Sequence, residues 1–287
     1  MNTWQSIQYK ILRSGSRINL LIGINVLVFL LVNVTSIMGK LLFNSGMIEY
    51  YSNEYLRLPS FLPKLLNHFW TPITYMFMHA GIFHILFNML WLYWLGQIFE
   101  EYLGNKRTIG LYILGGLTGA LFFVAAYNIF PFFTTAVTDS TVVGASASVM
   151  AVVVATATLL PDYSISLILI GPVKLKWIAI FYVTIDFLSI VGPNAGGEFS
   201  HLGGALFGFI YIKQLQRGND WIGAITGIFK SKSKMKTVSK NSDRNQSGKP
   251  RQDDVDRILD KISQTGYDSL SKQEKEILFR ASKDNEG

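Results

Sequence analysis

The chain has 287 residues, of which 49% are hydrophobic and 16% charged, with a mean hydropathy of +0.29 and no cysteine. Soluble domains carry about 25% charged residues, so this composition excludes an ordinary water-soluble enzyme and points to a membrane protein. The absence of cysteine also excludes a disulfide framework, a thiol nucleophile and thiolate metal sites. The formal charge of +7 hides two regimes: residues 1–217 hold 12 Lys+Arg against 8 Asp+Glu, and residues 218–287 hold 14 against 11.

A spanning helix needs about 20 apolar residues. Windows of that kind fall near 18–37, 72–95, 108–129, 142–160, 173–190 and 200–217, which predicts six spans. The first lies too deep in the chain and is too long for a signal peptide. Lys10, Arg13 and Arg17 precede it, Lys106 and Arg107 follow the second span, Lys174 and Lys176 follow the fourth, and Lys213 and Arg217 follow the sixth. By the positive-inside bias both termini are expected in the cytoplasm. The 38–71 segment then lies outside, where its Leu/Phe-rich stretch fits short interfacial helices acting as a lid or packing element.

Polar residues inside apolar spans are costly and mark function. The second span contains His79, His84 and Asn88, the fourth opens on GASAS with Ser146 and Ser148, and the sixth opens on HLGGALFG with His201. All three enter from the outer side, which sets Ser146 and His201 at similar depth. A serine hydroxyl is a poor nucleophile until a nearby base removes its proton, and a neutral imidazole does this and then protonates a leaving amine. His84 and Asn88, four apart, share one helical face and can aim N–H donors at a developing oxyanion. His79 is expected to turn away from that face and to act structurally. The alternative is a hydrogen-bond cluster that only locks the bundle. Gly204 and Gly208 on the sixth span and Ala147, Ala151 and Ala155 on the fourth form small-residue surfaces for close helix approach. No HExxH pattern or acidic residue at ligand spacing from His79 or His84 supports zinc, so no metal and no cofactor are expected.

These residues resemble the rhomboid family of intramembrane serine proteases over roughly residues 18–217. The family's GxSx motif appears as Gly144-Ala145-Ser146-Ala147, and its last-helix pattern as HLGGALFG. The resemblance implies Ser146 as nucleophile, His201 as general base, His84 and Asn88 as oxyanion partners, and His79 as the additional upstream histidine. Its GxxxExxxG is present as Gly96, Glu100 and Gly104, which share one helical side, with Glu100 satisfying loop backbone donors. It further implies an all-α polytopic membrane protein with a six-transmembrane-helix rhomboid-like bundle.

Two positions depart from the pattern. The family's Trp-Arg pair is here Trp70-Thr71, and Met150 stands four after the serine, where many members carry an aromatic. No carboxylate is expected to orient His201. Glu198 sits in the adjoining loop, and Asp186, on the fifth span, is left to snorkel, to meet water near the outer mouth or to bond a neighbouring helix. A Ser-His dyad is therefore expected rather than a triad. The fifth span, with Trp177, Phe181, Tyr182 and an exit at Gly192-Pro193, resembles the lateral gate proposed for rhomboids.

The expected organisation is a cytoplasmic N-terminal segment (1–17), a six-helix membrane protease domain (18–217), a flexible basic linker (218–254) and a small cytoplasmic helical appendage (255–287). In the appendage Val255, Ile258, Leu259 and Ile262 follow helical spacing, Gly266 ends that helix, and Ser271 with Glu274 forms a capping box. A unit of this size needs a partner or the membrane surface, so an unknown cytoplasmic partner is expected. Nucleic acid is not, because the basic run lacks aromatic residues for stacking. The function expected is an intramembrane serine endopeptidase in a bacterial inner membrane, surrounded by lipid. It would cleave single-span or multi-span transmembrane substrates near the outer side, where the helix must first unwind. The alternatives are a catalytically silent protein that binds or escorts transmembrane clients and, more weakly, a transporter.

Overall fold

The computed structural model describes residues 15–167, 170–228 and 252–283, and the chain divides into two compact units, Met1–Ser231 and Lys232–Gly287. In the first unit α1 (Arg17–Phe43) leads into α2 (Met47–Leu56), strand β1 (Leu58–Pro59), α3 (Leu62–Asn67) and α4 (Thr71–Thr74). Helices α5 (Ile82–Leu103), α6 (Asn105–Ile129), α7 (Ser146–Leu159), α8 (Leu175–Ser189) and α9 (Ala195–Gln216) follow, with β2 (Thr141–Val142) before α7 and the hairpin β3 (Ser164–Leu167) and β4 (Gly171–Lys174) before α8. A short α10 (Trp221–Ile228) closes the unit.

Among the described residues three helices are long and apolar enough to cross a membrane: α1, α5 and α6. This differs from the six expected spans for physical reasons. The expected second span begins ten residues late, because Pro72 opens the separate α4 and Gly81 sits extended just before α5. Helices α7 and α8 have 14 and 15 residues, about 21–23 Å at 1.5 Å per residue. Helix α9 has 22 residues, but Glu198, His201 and several glycines dilute its apolar character.

Helix α7 is the centre of the bundle. Every residue from Ala147 to Ala157 is buried, and the helix touches α5, α6, α8 and α9. Small residues make this possible: a methyl built at Gly115 or Gly119 of α6 would overlap Ala151 or Ala147, and one at Gly204 or Gly208 of α9 would overlap the carbonyl oxygens of those same alanines. Large apolar side chains cover the outside instead. Leu27, Leu30 and Leu31 of α1, Phe83 and Phe87 of α5, and Phe181 and Leu188 of α8 are all exposed. An apolar exterior of this extent belongs in lipid, and the protein is an integral membrane protein with a largely helical fold.

Glu100 anchors the start of α1. Its carboxylate accepts the Arg17 N–H at 2.7 Å, the Ile18 N–H at 3.3 Å and the Ser16 hydroxyl, which together satisfy donors that a helix start leaves open. Gly96 admits Ile18, since a methyl there would overlap that side chain. Gly104 makes no such close approach: a Cβ built there would meet no described atom within 4 Å, and its φ of +78° is the left-handed break that separates α5 from α6.

The segment between α1 and α5 is tied to the start of α7. Antiparallel pairing joins Leu58 to Val142 and Pro59 to Thr141, and the Ser60 hydroxyl donates to the Val137 carbonyl at 2.7 Å. In the absence of the family's arginine at Thr71, the Trp70 Nε1–H donates to the Tyr55 carbonyl at 2.7 Å and the Thr74 hydroxyl to that of Leu56 at 2.9 Å.

The expected linker from 218 contains α10. Its Ile222 packs where Gly110 of α6 leaves space, and Asp220 accepts from the Gly223 N–H, the Tyr211 hydroxyl and Arg107. Residues 229–251 of that linker, and residues 1–14 of the N-terminal segment, lie outside the described residues. In the second unit α11 (Gln252–Thr265) and α12 (Lys272–Lys283) are joined through Gly266 at φ +80°. The Ser271 N–H donates to Glu274 at 2.8 Å and the Glu274 N–H returns to the Ser271 hydroxyl at 3.3 Å, a reciprocal capping box.

Candidate active site

Helices α5, α7, α8 and α9 enclose a cavity of about 520 Å³, and Ser146, His201, His84 and Asn88 all line it. Ser146 is the first residue of α7. Its backbone N–H is therefore one of the helix-start donors with no intrahelical partner, at the end where the helix dipole favours negative charge. The turn that delivers it is held by the β1–β2 pairing and by the Gly144 N–H, which donates to the Tyr75 carbonyl at 2.9 Å. Ser148 is set apart from this site, since it is buried facing Gly116 of α6.

Gly144 has two reasons to be glycine. Its φ is +134°, and a Cβ there would lie 2.8 Å from His84 Nε2 and 3.3 Å from Ser146 Oγ. A side chain would thus fill the space between the imidazole and the hydroxyl. The Ala80 N–H donates to His84 Nδ1 at 3.4 Å, which leaves Nε2 as the ring's N–H donor on the side of that space. The Asn88 amide donates one hydrogen to the His84 carbonyl at 2.9 Å and keeps its second.

His79 precedes α5 instead of riding on it. It is buried, and its ring meets that of His84 edge to face at 5.2 Å. It therefore supports the His84 ring directly, in place of the turned-away position expected.

The largest departure from the sequence reading is at His201. Asp186 Oδ1 lies 3.1 Å from His201 Nδ1, and Glu198 Oε2 lies 3.6 Å from the same nitrogen. The expectation that no carboxylate reaches this histidine is overturned, because the short turn at 190–194 folds α8 back against α9 and brings residue 186 level with 201. Depth was readable in the sequence; the rotational phase of two helices about each other was not. Asp186, Glu198 and His201 offer ligand atoms all within 4.8 Å of one another, so the three also form a donor set that a cation can use. Met150 lines the cavity as well. Trp91 of α5 and Tyr182 of α8, both in the cavity lining, meet edge to face at 5.2 Å.

Residues 66–217, just over half of the chain, match the family described as the Rhomboid domain, and residues 241–284 match a family of unknown function, DUF6576. The chain is 26% identical over 170 residues to presenilin-associated rhomboid-like protein A, mitochondrial, of Danio rerio, covering 58% of this chain and 40% of that protein. It is 26% identical over 197 residues to RHOMBOID-like protein 12, mitochondrial, of Arabidopsis thaliana, covering 63% of this chain and 59% of the relative. A 57-residue stretch is 39% identical to the rhomboid protease GlpG of Salmonella newport, 20% of this chain and 21% of that one. The chain thus spans between about a fifth and three fifths of the length of these relatives. On the match of its membrane part, the chain belongs to the rhomboid family.

Proposed function

We propose that the protein is an intramembrane serine endopeptidase that cleaves single-span or multi-span transmembrane proteins near the outer side of a bacterial inner membrane. The observation that carries this reading is the single cavity lined by Ser146, His201, His84 and Asn88 in a chain of the rhomboid family. Ser146 attacks the scissile carbonyl as His201 takes its proton, and the N–H groups of His84, Asn88 and Ser146 itself hold the tetrahedral oxyanion. Collapse expels the amine, to which His201 returns the proton. Water then attacks the acyl-enzyme with His201 again as base, releasing the carboxylate product and the free serine.

The reading includes six spanning helices, α1, α5, α6, α7, α8 and α9, with both termini in the cytoplasm. The short α7 is compatible with this because it faces protein on all sides and need not match the roughly 30 Å of hydrocarbon. A membrane protease domain over 18–217 and a cytoplasmic appendage over 255–287 complete the organisation, the appendage awaiting an unknown cytoplasmic partner. GlpG is by its name a rhomboid protease, which favours an enzyme over a client-binding protein here. Labelling the full-length protein in liposomes with a fluorophosphonate, followed by peptide mass spectrometry, tests the assignment. The adduct is expected on Ser146 and is lost in His201→Ala; an unlabelled Ser146 in folded protein contradicts it.

A further inference from the structure

We propose that Asp186 is a positioning residue for His201, holding the imidazole in the tautomer that a general base needs; this rests on the protease reading above. An aspartate 6% exposed within an apolar bundle is costly unless paired. Asp186 Oδ1 lies 3.1 Å from His201 Nδ1, and among the described residues no side-chain or backbone group hydrogen-bonds its second oxygen. An ionised carboxylate only accepts, so Nδ1 carries the ring proton and Nε2 is left with its lone pair. During acylation the Ser146 proton passes to Nε2, Asp186 stays ionised beside the imidazolium, and the proton leaves with the departing amine.

Two further observations single out Asp186. Glu198, one turn before His201 on α9, stands 3.6 Å away, beyond hydrogen-bond reach, and its other oxygen accepts from the Asn194 amide at 3.0 Å. Met150, which lines the same cavity, is a flexible thioether and offers no flat ring that could orient the imidazole by stacking. Among the described residues the charged and titratable groups around His201 are Asp186 and Tyr182 from α8, Glu198 from α9 and His84 from α5 across the cavity, and of these Asp186 lies within hydrogen-bond distance of the ring at 3.1 Å. Because Asp186 belongs to α8 and His201 to α9, the base is set only while those two helices stay docked.

The test uses full-length protein in liposomes with a single-span substrate, and ¹⁵N-histidine NMR with His201→Gln to assign the ring. Asp186→Asn is expected to lower kcat at least ~100-fold with KM nearly unchanged, in line with the roughly 10⁴-fold loss when a soluble triad loses its aspartate. Asp186→Glu restores most of kcat. In the NMR spectrum His201 is protonated at Nδ1 in the wild type and becomes a mixture in Asp186→Asn. This readout needs no substrate, so it separates failure of the proposal from failure of the protease reading, which Ser146→Ala tests. Should Asp186→Asn melt lower, the charge-keeping Asp186→Glu decides: recovery of kcat supports the proposal and no recovery overturns it. An unchanged tautomer in Asp186→Asn overturns it too, as does cleavage lost on dialysis against EDTA and restored by zinc, which would assign the three side chains to a cation.

Discussion

The Ala147 carbonyl oxygen on α7 occupies the place where a Cβ on Gly204 of α9 would stand. The residue after Ser146 is thereby pressed against the helix that carries His201, one turn beyond that histidine, so the depth of His201 relative to Ser146 depends on backbone contact. Gly204→Val is expected to force α7 and α9 apart, costing about 1–3 kcal/mol or more as overpacking does, and to abolish cleavage. Gly81→Ala, whose methyl would meet no described atom within 4 Å, is expected to melt with the wild type. Thermal unfolding in detergent with a parallel cleavage assay checks both; equal melting of Gly204→Val and wild type would refute the packing argument.

On the proposed mechanism His84 and Asn88 act on the transition state. Loss of one oxyanion donor costs about 10²–10³ in kcat, and His84→Ala and Asn88→Ala are each expected in that range with KM little changed. Gly144→Ala should match them, because its methyl would lie 2.8 Å from the His84 ring. Steady-state kinetics in liposomes distinguishes this from a binding role, which would raise KM alone.

Trp91 of α5 and Tyr182 of α8 meet edge to face, and on the proposed reading this contact would have to open for a substrate entering from lipid between those helices. Trp91→Ala is expected to raise turnover of a transmembrane substrate several-fold while leaving a short soluble peptide substrate unaffected, since only the former must enter from lipid. Parallel assays of the two substrates check the expectation, and equal stimulation of both would remove the gating role.

Much of this site is legible in the sequence because each polar side chain stands alone in an apolar stretch: Ser146, His201, His84 and Asn88 are costly in lipid and therefore conspicuous. The capping box at Ser271 and Glu274 is legible for a similar reason, being a local pattern with a local outcome. What escapes is what depends on three dimensions. Asp186 is visible as an anomaly but not as His201's partner, because its pairing is set by how α8 and α9 rotate about their common turn. Helix α10 is hidden by its brevity, and Pro72 and Gly81 break a hydropathy window that otherwise reads as one span from 72 to 95.

Glu100 ties α1 to α5 through two backbone N–H groups and the Ser16 hydroxyl. Hydrogen bonds to a charged acceptor contribute about 1.5–3 kcal/mol, so Glu100→Ala is expected to lower stability by that order and to speed hydrogen exchange at residues 17–22. Unchanged exchange there would show the anchor to be dispensable.

In the appendage the Glu274 carboxyl is pushed down to about 2 by the Ser271 N–H, by Lys261 and by the Ser271 hydroxyl. Its folded value lies below the ordinary 4.5, so its contribution to α12 is complete above about pH 4.5 and fades as pH falls through about 2. Glu274→Gln is expected to speed exchange of residues 271–283 at neutral pH and to lose that difference in acid. A pH-independent difference, read by hydrogen-exchange mass spectrometry on the full chain, would contradict the assignment.

The central claim is best tested by cleavage itself. Purified full-length protein and its Ser146→Ala variant, matched by thermal melt, are reconstituted in liposomes with a panel of single-span substrates. The account predicts cuts near the outer end of the substrate helix by the wild type and none by the variant. Equal cleavage by both proteins, or a wild type that retains transmembrane clients and cuts none of them, would contradict it.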